Sequence, residues 1–218
     1  MVKKKNGGIN KLNINMKSIN NYISEKLVIN RNVGKIGHTY FPKTKDELQD
    51  IIEQRIKKEG YECDLNDIDV SEIKDMSKLF YGSKFNGDIS EWNVCNVTNM
   101  IDVFAHSEFN QDISKWDVGN VTKMSWMFAF SKFNQDISKW NVSNVNDMEF
   151  MFAKSEFNKD ISNWDVSKVK RMNCMFCDSK FNQDISNWYE YINNVNMDNM
   201  FKNSPLEGKE WDWFEYNR

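Results

Sequence analysis

Residues 112–135 read DISKWDVGNVTKMSWMFAFSKFNQ, and the same pattern recurs along the chain every 24 residues. A fixed period between about 20 and 50 residues is typical of proteins built from stacked repeats. We therefore expect one elongated body in which each unit packs against its neighbours. The tryptophan column illustrates the interval: Trp92, Trp116, Trp140, Trp164 and Trp188.

Within one unit, the apolar spacing Ile-x-x-Trp-x-Val-x-x-Val follows the pattern of leucine-rich repeats. Trp116 and Val118 alternate with polar residues, which indicates a short strand with one buried face. Val121, Met124 and Met127 instead follow helical spacing. The sequence therefore predicts an α/β repeat solenoid of leucine-rich-repeat type, with short parallel strands on the concave face and short helical or 3-10 return segments.

We divide the 218 residues into three parts. Residues 1–62 are an N-terminal segment with a helical cap, residues 63–204 a solenoid of about six units, and residues 205–218 an aromatic C-terminal cap. Thr44 and Glu47 form a capping box, and Gly60 can end the helix that they begin. A shorter amphipathic helix is predicted for Lys17–Asn30.

Charge and hydropathy argue against several classes of protein. The 29 basic and 32 acidic residues are interspersed, which gives no reason to expect nucleic-acid binding. No stretch approaches the roughly 18 apolar residues of a membrane helix, so we expect no membrane insertion. The first residues lack the apolar core of a secretory signal. As written, the chain is expected to be cytoplasmic or virion-associated, or at the cell surface if a leader has been removed.

Candidate catalytic and metal-binding residues are few. Cys174 and Cys177 form a CxxC pair, which invites a redox or zinc interpretation. No second pair completes a tetrahedral site, so we interpret them as ordinary reduced thiols. His38 and His106 lie in unrelated regions. We expect no enzyme activity, no cofactor and no bound metal.

Asparagine and aspartate recur with the same interval, as in Asn110 and Asp112. One interpretation is a column of calcium sites. The other is that these side chains satisfy backbone groups in turns. Each unit offers too few oxygen atoms for six- to eight-fold coordination, which favours the second interpretation.

The recurring unit, for example FNQDISKWDVGNV at residues 109–121, resembles the BspA-like leucine-rich repeat family of bacterial surface proteins. The resemblance covers about Asp64 to Phe201. It implies a leucine-rich-repeat solenoid used for adhesion or protein recognition, in bacteria or their phages, with no family-wide catalytic residues. The sequence shows no export signal or surface anchor of the kind found in the adhesin members.

We therefore expect a non-enzymatic protein-protein interaction or adhesion scaffold that binds a protein ligand on its concave face. The alternatives are a structural component, of a phage or cell surface, that self-associates and, less favoured, a carbohydrate-binding protein. Outward-facing side chains of the expected strands are the candidate contacts, and tyrosine is common at binding hot spots. The predicted partner-binding residues are Asn93, Asp117, Asn141, Asp165, Tyr189 and Tyr191.

Overall fold

The computed structural model describes residues 37–191 and 195–209. The chain divides into two compact units, Met1–His38 and Thr39–Arg218, and the helix and the repeats belong to the second. The helix predicted for Lys17–Asn30 lies outside the described residues, as do residues 210–218 of the predicted aromatic cap.

The helix α1 spans Lys45–Glu59. The Thr44 hydroxyl accepts a hydrogen bond from the Glu47 N–H at 3.2 Å, which is the first half of the predicted capping box. The Glu47 carboxylate accepts from the Lys43 N–H at 2.6 Å, one residue earlier than the capping box predicts. At the other end, Gly60 has φ 92° and its N–H donates to the Ile56 carbonyl. The prediction of this helix and of both its ends is confirmed.

α1 packs against the beginning of the repeats. Leu48 and Ile52 are buried and belong to the same apolar core as the repeats. The Arg55 guanidinium donates to the Asp67 carboxylate at 2.7 Å and to the Asp64 carbonyl at 2.8 Å. The apolar face of α1 therefore covers the first unit, and Arg55 fixes its position there.

The predicted strands are wrong. Among the described residues no named strand is present, and the Trp-x-Val segment is a junction between two tight turns. The Trp116 N–H donates to the Ile113 carbonyl at 3.1 Å, and the Val121 N–H donates to the Val118 carbonyl at 2.9 Å. The alternation of buried and exposed residues arises because each turn buries its first and fourth residues.

The predicted helical or 3-10 return segments are also wrong: in the described units the return path is made of turns. From Met124 onward, overlapping turns follow each other every two residues, as when the Ala129 N–H donates to the Trp126 carbonyl. A right-handed helix cannot form because two residues per unit, four positions apart, have positive φ. These pairs are Lys78/Gly82, Asp102/His106, Trp126/Phe130, Phe150/Lys154, Cys174/Asp178 and Asn199/Asn203.

Consecutive units are joined by backbone hydrogen bonds. The N–H groups of Met124 and Trp126 donate to the carbonyls of Asp147 and Glu149, each at 2.9 Å. Within the described residues, each unit bridges to the next through a single residue, because turns interrupt the extended backbone on both sides. The bridges are parallel, and those along the repeats pair Asp75 with Asn99, Asn99 with Lys123, Lys123 with Asp147, Asp147 with Arg171 and Arg171 with Asn196.

The result is a repeat protein of stacked turns, and not an α/β leucine-rich-repeat solenoid with a strand-lined concave face. Its core is a set of aligned rings: Phe104, Phe128 and Phe152 stack at 5.6 Å between neighbouring centroids. The buried tryptophans lie beside them and donate their indole N–H groups to isoleucine carbonyls, as Trp140 does to Ile113 at 3.1 Å. Packing between units therefore stabilises each one.

The pattern changes near the C-terminal end, where Ser186–Tyr191 forms a 3-10 helix. Trp188 keeps its buried place in the core, but its indole N–H has no hydrogen-bond partner. None of the described helices has the length and apolar character needed to cross a membrane.

Candidate functional site

Four of the predicted partner-binding residues form one exposed column. Each uses its side-chain oxygen to accept a hydrogen bond from the backbone N–H two residues later. Such Asx turns stabilise the local chain whether or not a partner is bound. The donors to Asn93, Asp117, Asn141 and Asp165 are the N–H groups of Cys95, Gly119, Ser143 and Ser167, at 3.0 to 3.3 Å.

The other two predicted contacts, Tyr189 and Tyr191, lie in the 3-10 helix. Tyr189 is half-buried, and Tyr191 is 44% exposed. They follow the column of Asx turns in sequence, but their backbone is no longer that of the turn units. The tyrosines remain a predicted contact surface at the C-terminal end of the column.

The asparagine column is a continuous ladder. The side-chain oxygen of Asn110 accepts from the Asn134 N–H at 2.8 Å, and that of Asn134 accepts from the Asn158 N–H at 2.9 Å. The neighbouring Asp112 carboxylate accepts from the Ser114 N–H at 2.8 Å. These bonds support the structural interpretation of the ladders, because the oxygens already bind backbone donors of the turns.

The aspartate ladder predicts an acid-sensitive stability. Backbone hydrogen bonds from Ser114, Ser138 and Ser162, followed by their side chains, lower the pKa of Asp112, Asp136 and Asp160. A lowered folded-state pKa stabilises the fold above the unfolded pKa of about 3.9, and this stabilisation is lost as the pH falls through the folded pKa. We expect the wild-type Tm to decrease when the pH is lowered below about 4.

The matched control replaces all three aspartates with asparagine, which keeps a side-chain oxygen for the turn but does not titrate. Thermal melts between pH 7 and pH 2.5 should show a smaller fall in Tm for this variant. Equal falls for the two proteins would mean that other carboxylates control acid unfolding.

A second exposed surface lies on the part of each unit that has positive φ. There, small buried side chains form a floor between two walls of larger ones, and a cavity of about 320 Å³ opens along them. We call this surface the groove. Its floor is Ala129, Ala153 and Cys177, its first wall Trp126, Phe150 and Cys174, and its second wall Phe130, Lys154 and Asp178.

Aromatic rings line the N-terminal half of the groove. Trp126 stacks on Phe150 with 4.2 Å between ring centroids and 14° between ring planes. On the other wall, Phe130 is 39% exposed, and its ring stacks on His106 with 4.3 Å between centroids. The Lys154 ammonium lies 5.2 Å from the centroid of the Phe130 ring. Trp126 and Phe150 contribute little to the main core, because they pack in a separate cluster around the alanine floor.

The backbone makes these aromatic residues unusual. Trp126, Phe130 and Phe150 have φ of 61°, 57° and 55°, a region in which bulky residues are rare. Left-handed backbone costs a non-glycine residue roughly 1–2 kcal/mol. Gly82 occupies the position equivalent to Phe130 in an earlier unit and avoids this cost. Large rings at costly positions that stay partly open to solvent favour a role in binding over a role in folding.

The side chains in the C-terminal half of the groove are mostly polar, and their properties argue against a reactive thiol or a metal site there. Burial, and then the neighbouring Cys174, raise the pKa of the Cys177 thiol to about 12. At neutral pH this thiol is protonated and is a poor nucleophile or metal ligand. All four cysteines are free. The described residues contain no group of three or more His, Cys, Asp or Glu side chains that could hold a metal ion.

Sequence reasoning missed the groove. Trp126 and Phe150 occupy one repeat position that holds Lys78, Asp102 and Cys174 in other units, whereas the core columns remain apolar. This departure from the repeat was the available signal. Its meaning depended on the positive φ, which exposes the position and which the helical interpretation excluded.

Two overlapping regions, residues 48–154 and 129–213, match the family described as Mycoplasma protein of unknown function, DUF285. Because the match extends over more than half of the chain, the chain belongs to this family of repeat proteins. No curated protein and no solved structure matches it.

Proposed function

We propose that this DUF285 family member is a non-enzymatic protein-recognition module that binds its partner in the groove. The observation that carries the proposal is a set of three aromatic side chains at positive-φ positions: Phe130 is exposed, and Trp126 and Phe150 are half-buried at the cavity. Aromatic residues dominate the energetics of protein interfaces, since they bury a large area at a small cost in conformational entropy.

Variation between the units of this one chain supports the same surface. Ring and aliphatic positions in the core repeat with little change, as a stacked scaffold requires. The repeat position that forms the first groove wall instead changes from unit to unit, and holds Lys78, Asp102, Trp126, Phe150 and Cys174. A partner bound along the wall would therefore meet a different side chain at each step, which is a basis for specificity.

We also propose kinship with the BspA-like repeats, on the grounds of the shared Ile-x-x-Trp-x-Val-x-x-Val spacing. Members of that family resemble adhesins, so the partner is proposed to be a protein on a cell or virion surface. The proposed kinship rests on the sequence pattern alone and does not imply the strands of a leucine-rich repeat.

Two surface variants test the proposal. The groove variant carries Trp126→Asn, Phe130→Asn and Phe150→Asn, because asparagine tolerates left-handed backbone. The column variant carries Asp117→Lys, Asp165→Lys and Tyr189→Ala, on the surface predicted from the sequence. Both are compared with wild type in affinity capture from the source cell, followed by titration of the purified partner with each protein.

We expect a partner that wild type and the column variant retain and that the groove variant binds at least about tenfold more weakly, since a hot spot contributes 2 kcal/mol or more. Melting curves establish that both variants are folded. Loss of binding in the column variant alone would show that the partner binds the column of Asx turns and not the groove. Equal binding by all three proteins would contradict a protein-recognition role for either surface.

A further inference from the structure

We infer that the groove holds a slot for one aromatic side chain of the partner, and that acidic residues flank this side chain in the partner's sequence. The inference rests on the proposed function and names the chemistry of the partner. The slot lies beyond Phe150, where Cys174 replaces the ring found in the two preceding units.

The aromatic stack on the first wall is incomplete. One face of the Phe150 ring is covered by Trp126 at 4.2 Å between centroids. The other face points toward the next unit, whose backbone follows in register because the Phe150 N–H donates to the Asn173 carbonyl at 3.1 Å. There the side chain is Cys174, which is too short to cover a ring. A planar group inserted above Cys174 would continue the stack.

The cavity that contains the slot has room for a large side chain. Its volume is about 320 Å³, and its lining extends from Trp126 past Phe150 and Cys174 to Lys202 of the last unit. This volume is at the lower end of the roughly 300–1,000 Å³ found for small-molecule sites. A ring that stacks on Phe150 would fill its apolar part, and offset stacking is the geometry that aromatic pairs prefer.

Charge at the rim favours an acidic neighbour of the inserted ring. Lys154 and Lys202 are exposed at the cavity, and Asp178 is the acidic residue that lines it. The Asp178 carboxylate already accepts a hydrogen bond from the Asn203 side chain at 2.9 Å. Two cations against one engaged anion leave a positive rim, to which carboxylates of the partner are complementary.

The test uses blocked pentapeptides and the full chain. The probes are Gly-Asp-Trp-Asp-Gly, the same peptide with alanine in place of tryptophan, and Gly-Lys-Trp-Lys-Gly. Binding is followed by titration with detection of backbone amide shifts at Cys174 and Ala153. We expect the Asp-Trp-Asp peptide to bind about fivefold or more tightly than either of the others, because each lacks the ring or the favourable charge.

Cys174→Phe is the decisive variant. Trp126 and Phe150 show that the equivalent backbone accommodates a ring, so the new side chain should extend the stack and occupy the slot. We expect an unchanged or higher Tm and loss of peptide binding. Asn163→Ala, at an exposed position outside the groove, is the matched surface control and should bind the peptide as wild type does.

Equal binding of the three peptides, or full binding by a folded Cys174→Phe protein, would overturn the inference. Wild-type dimerisation that Cys174→Phe abolishes would overturn it as well, in favour of a second copy as the occupant. Failure of the proposed function is distinguishable from these results. It appears as partner capture that the groove variant leaves unchanged, whereas failure of the inference appears in the peptide titrations or in the oligomeric state.

Discussion

Trp140→Ala is expected to lower the free energy of unfolding by about 3–5 kcal/mol, the usual cost of removing a large buried aromatic side chain. The indole is 4% exposed, and its centroid lies 6.3 Å from that of Phe128 in the aligned rings of the core. Its N–H donates to the Ile113 carbonyl at 3.1 Å. Truncation therefore leaves both a cavity and a buried carbonyl without its partner.

Urea unfolding of the two proteins measures the effect, and Trp126→Asn provides the matched control. Trp126 is also a tryptophan, but it lies in the groove, outside the main core, with φ 61°. Loss of its ring contacts is partly offset because asparagine adopts this backbone more readily. We expect a change of about 1 kcal/mol or less for the control, typical of a surface substitution. Similar costs for the two variants would contradict the assignment of Trp140 to the core and Trp126 to the groove.

The period of the sequence is sufficient to predict the core but not the backbone that forms it. Every unit must bury the same face, so a column such as Phe128 and Phe152 was recognisable without coordinates. Between Trp116 and Val118, however, alternation arises equally from a strand and from two adjoining turns. Hydrogen bonds decide between them, and the bonds from Trp116 to Ile113 and from Val121 to Val118 form turns.

The candidate site was harder to predict than the core, for a physical reason. Helical spacing of Val121, Met124 and Met127 suggested a right-handed segment, in which Trp126 has no special status. Left-handed residues carry a weak sequence signal when they are not glycine or asparagine. α1, in contrast, was predictable because Thr44, Glu47 and Gly60 are specific end signals. The ends of α1 could be predicted from a few neighbouring residues, whereas the turns are determined by contacts between units that lie 24 residues apart.

A substitution that restores the repeat is expected to destabilise the protein. Gly87 occupies the position held by Gln111, Gln135 and Gln183 in later units. A Cβ atom on Gly87 would lie 2.0 Å from the Cys63 carbonyl oxygen and 2.8 Å from a ring carbon of Phe85. We expect Gly87→Ala to cost at least about 1–3 kcal/mol, as overpacking does, and Gly87→Gln to cost more.

The clash cannot be relieved easily, because hydrogen bonds hold the segment around Cys63 on both sides. The Asn86 N–H donates to the Tyr61 carbonyl at 2.9 Å, and the Leu65 N–H donates to the Asp88 carbonyl at 2.9 Å. Moving Cys63 away from a new methyl group would lengthen one or both bonds. The chain that leads from α1 into the first unit therefore requires glycine at residue 87.

Gly119→Ala is the control for the loss of glycine itself. Its Cβ would meet only the ends of the exposed Asp117 and Asn141 side chains, at 3.1 Å and 3.3 Å. Asn141 can rotate away, and Asp117 needs only a small shift that weakens its bond to the residue 119 N–H. Alanine also restricts the unfolded chain, which stabilises a compatible site by about 0.4–1 kcal/mol. Urea unfolding should therefore separate the two alanine variants by at least about 1 kcal/mol. A Gly87→Ala protein as stable as the Gly119→Ala protein would show that the Cys63 segment does not pass over the first unit as described.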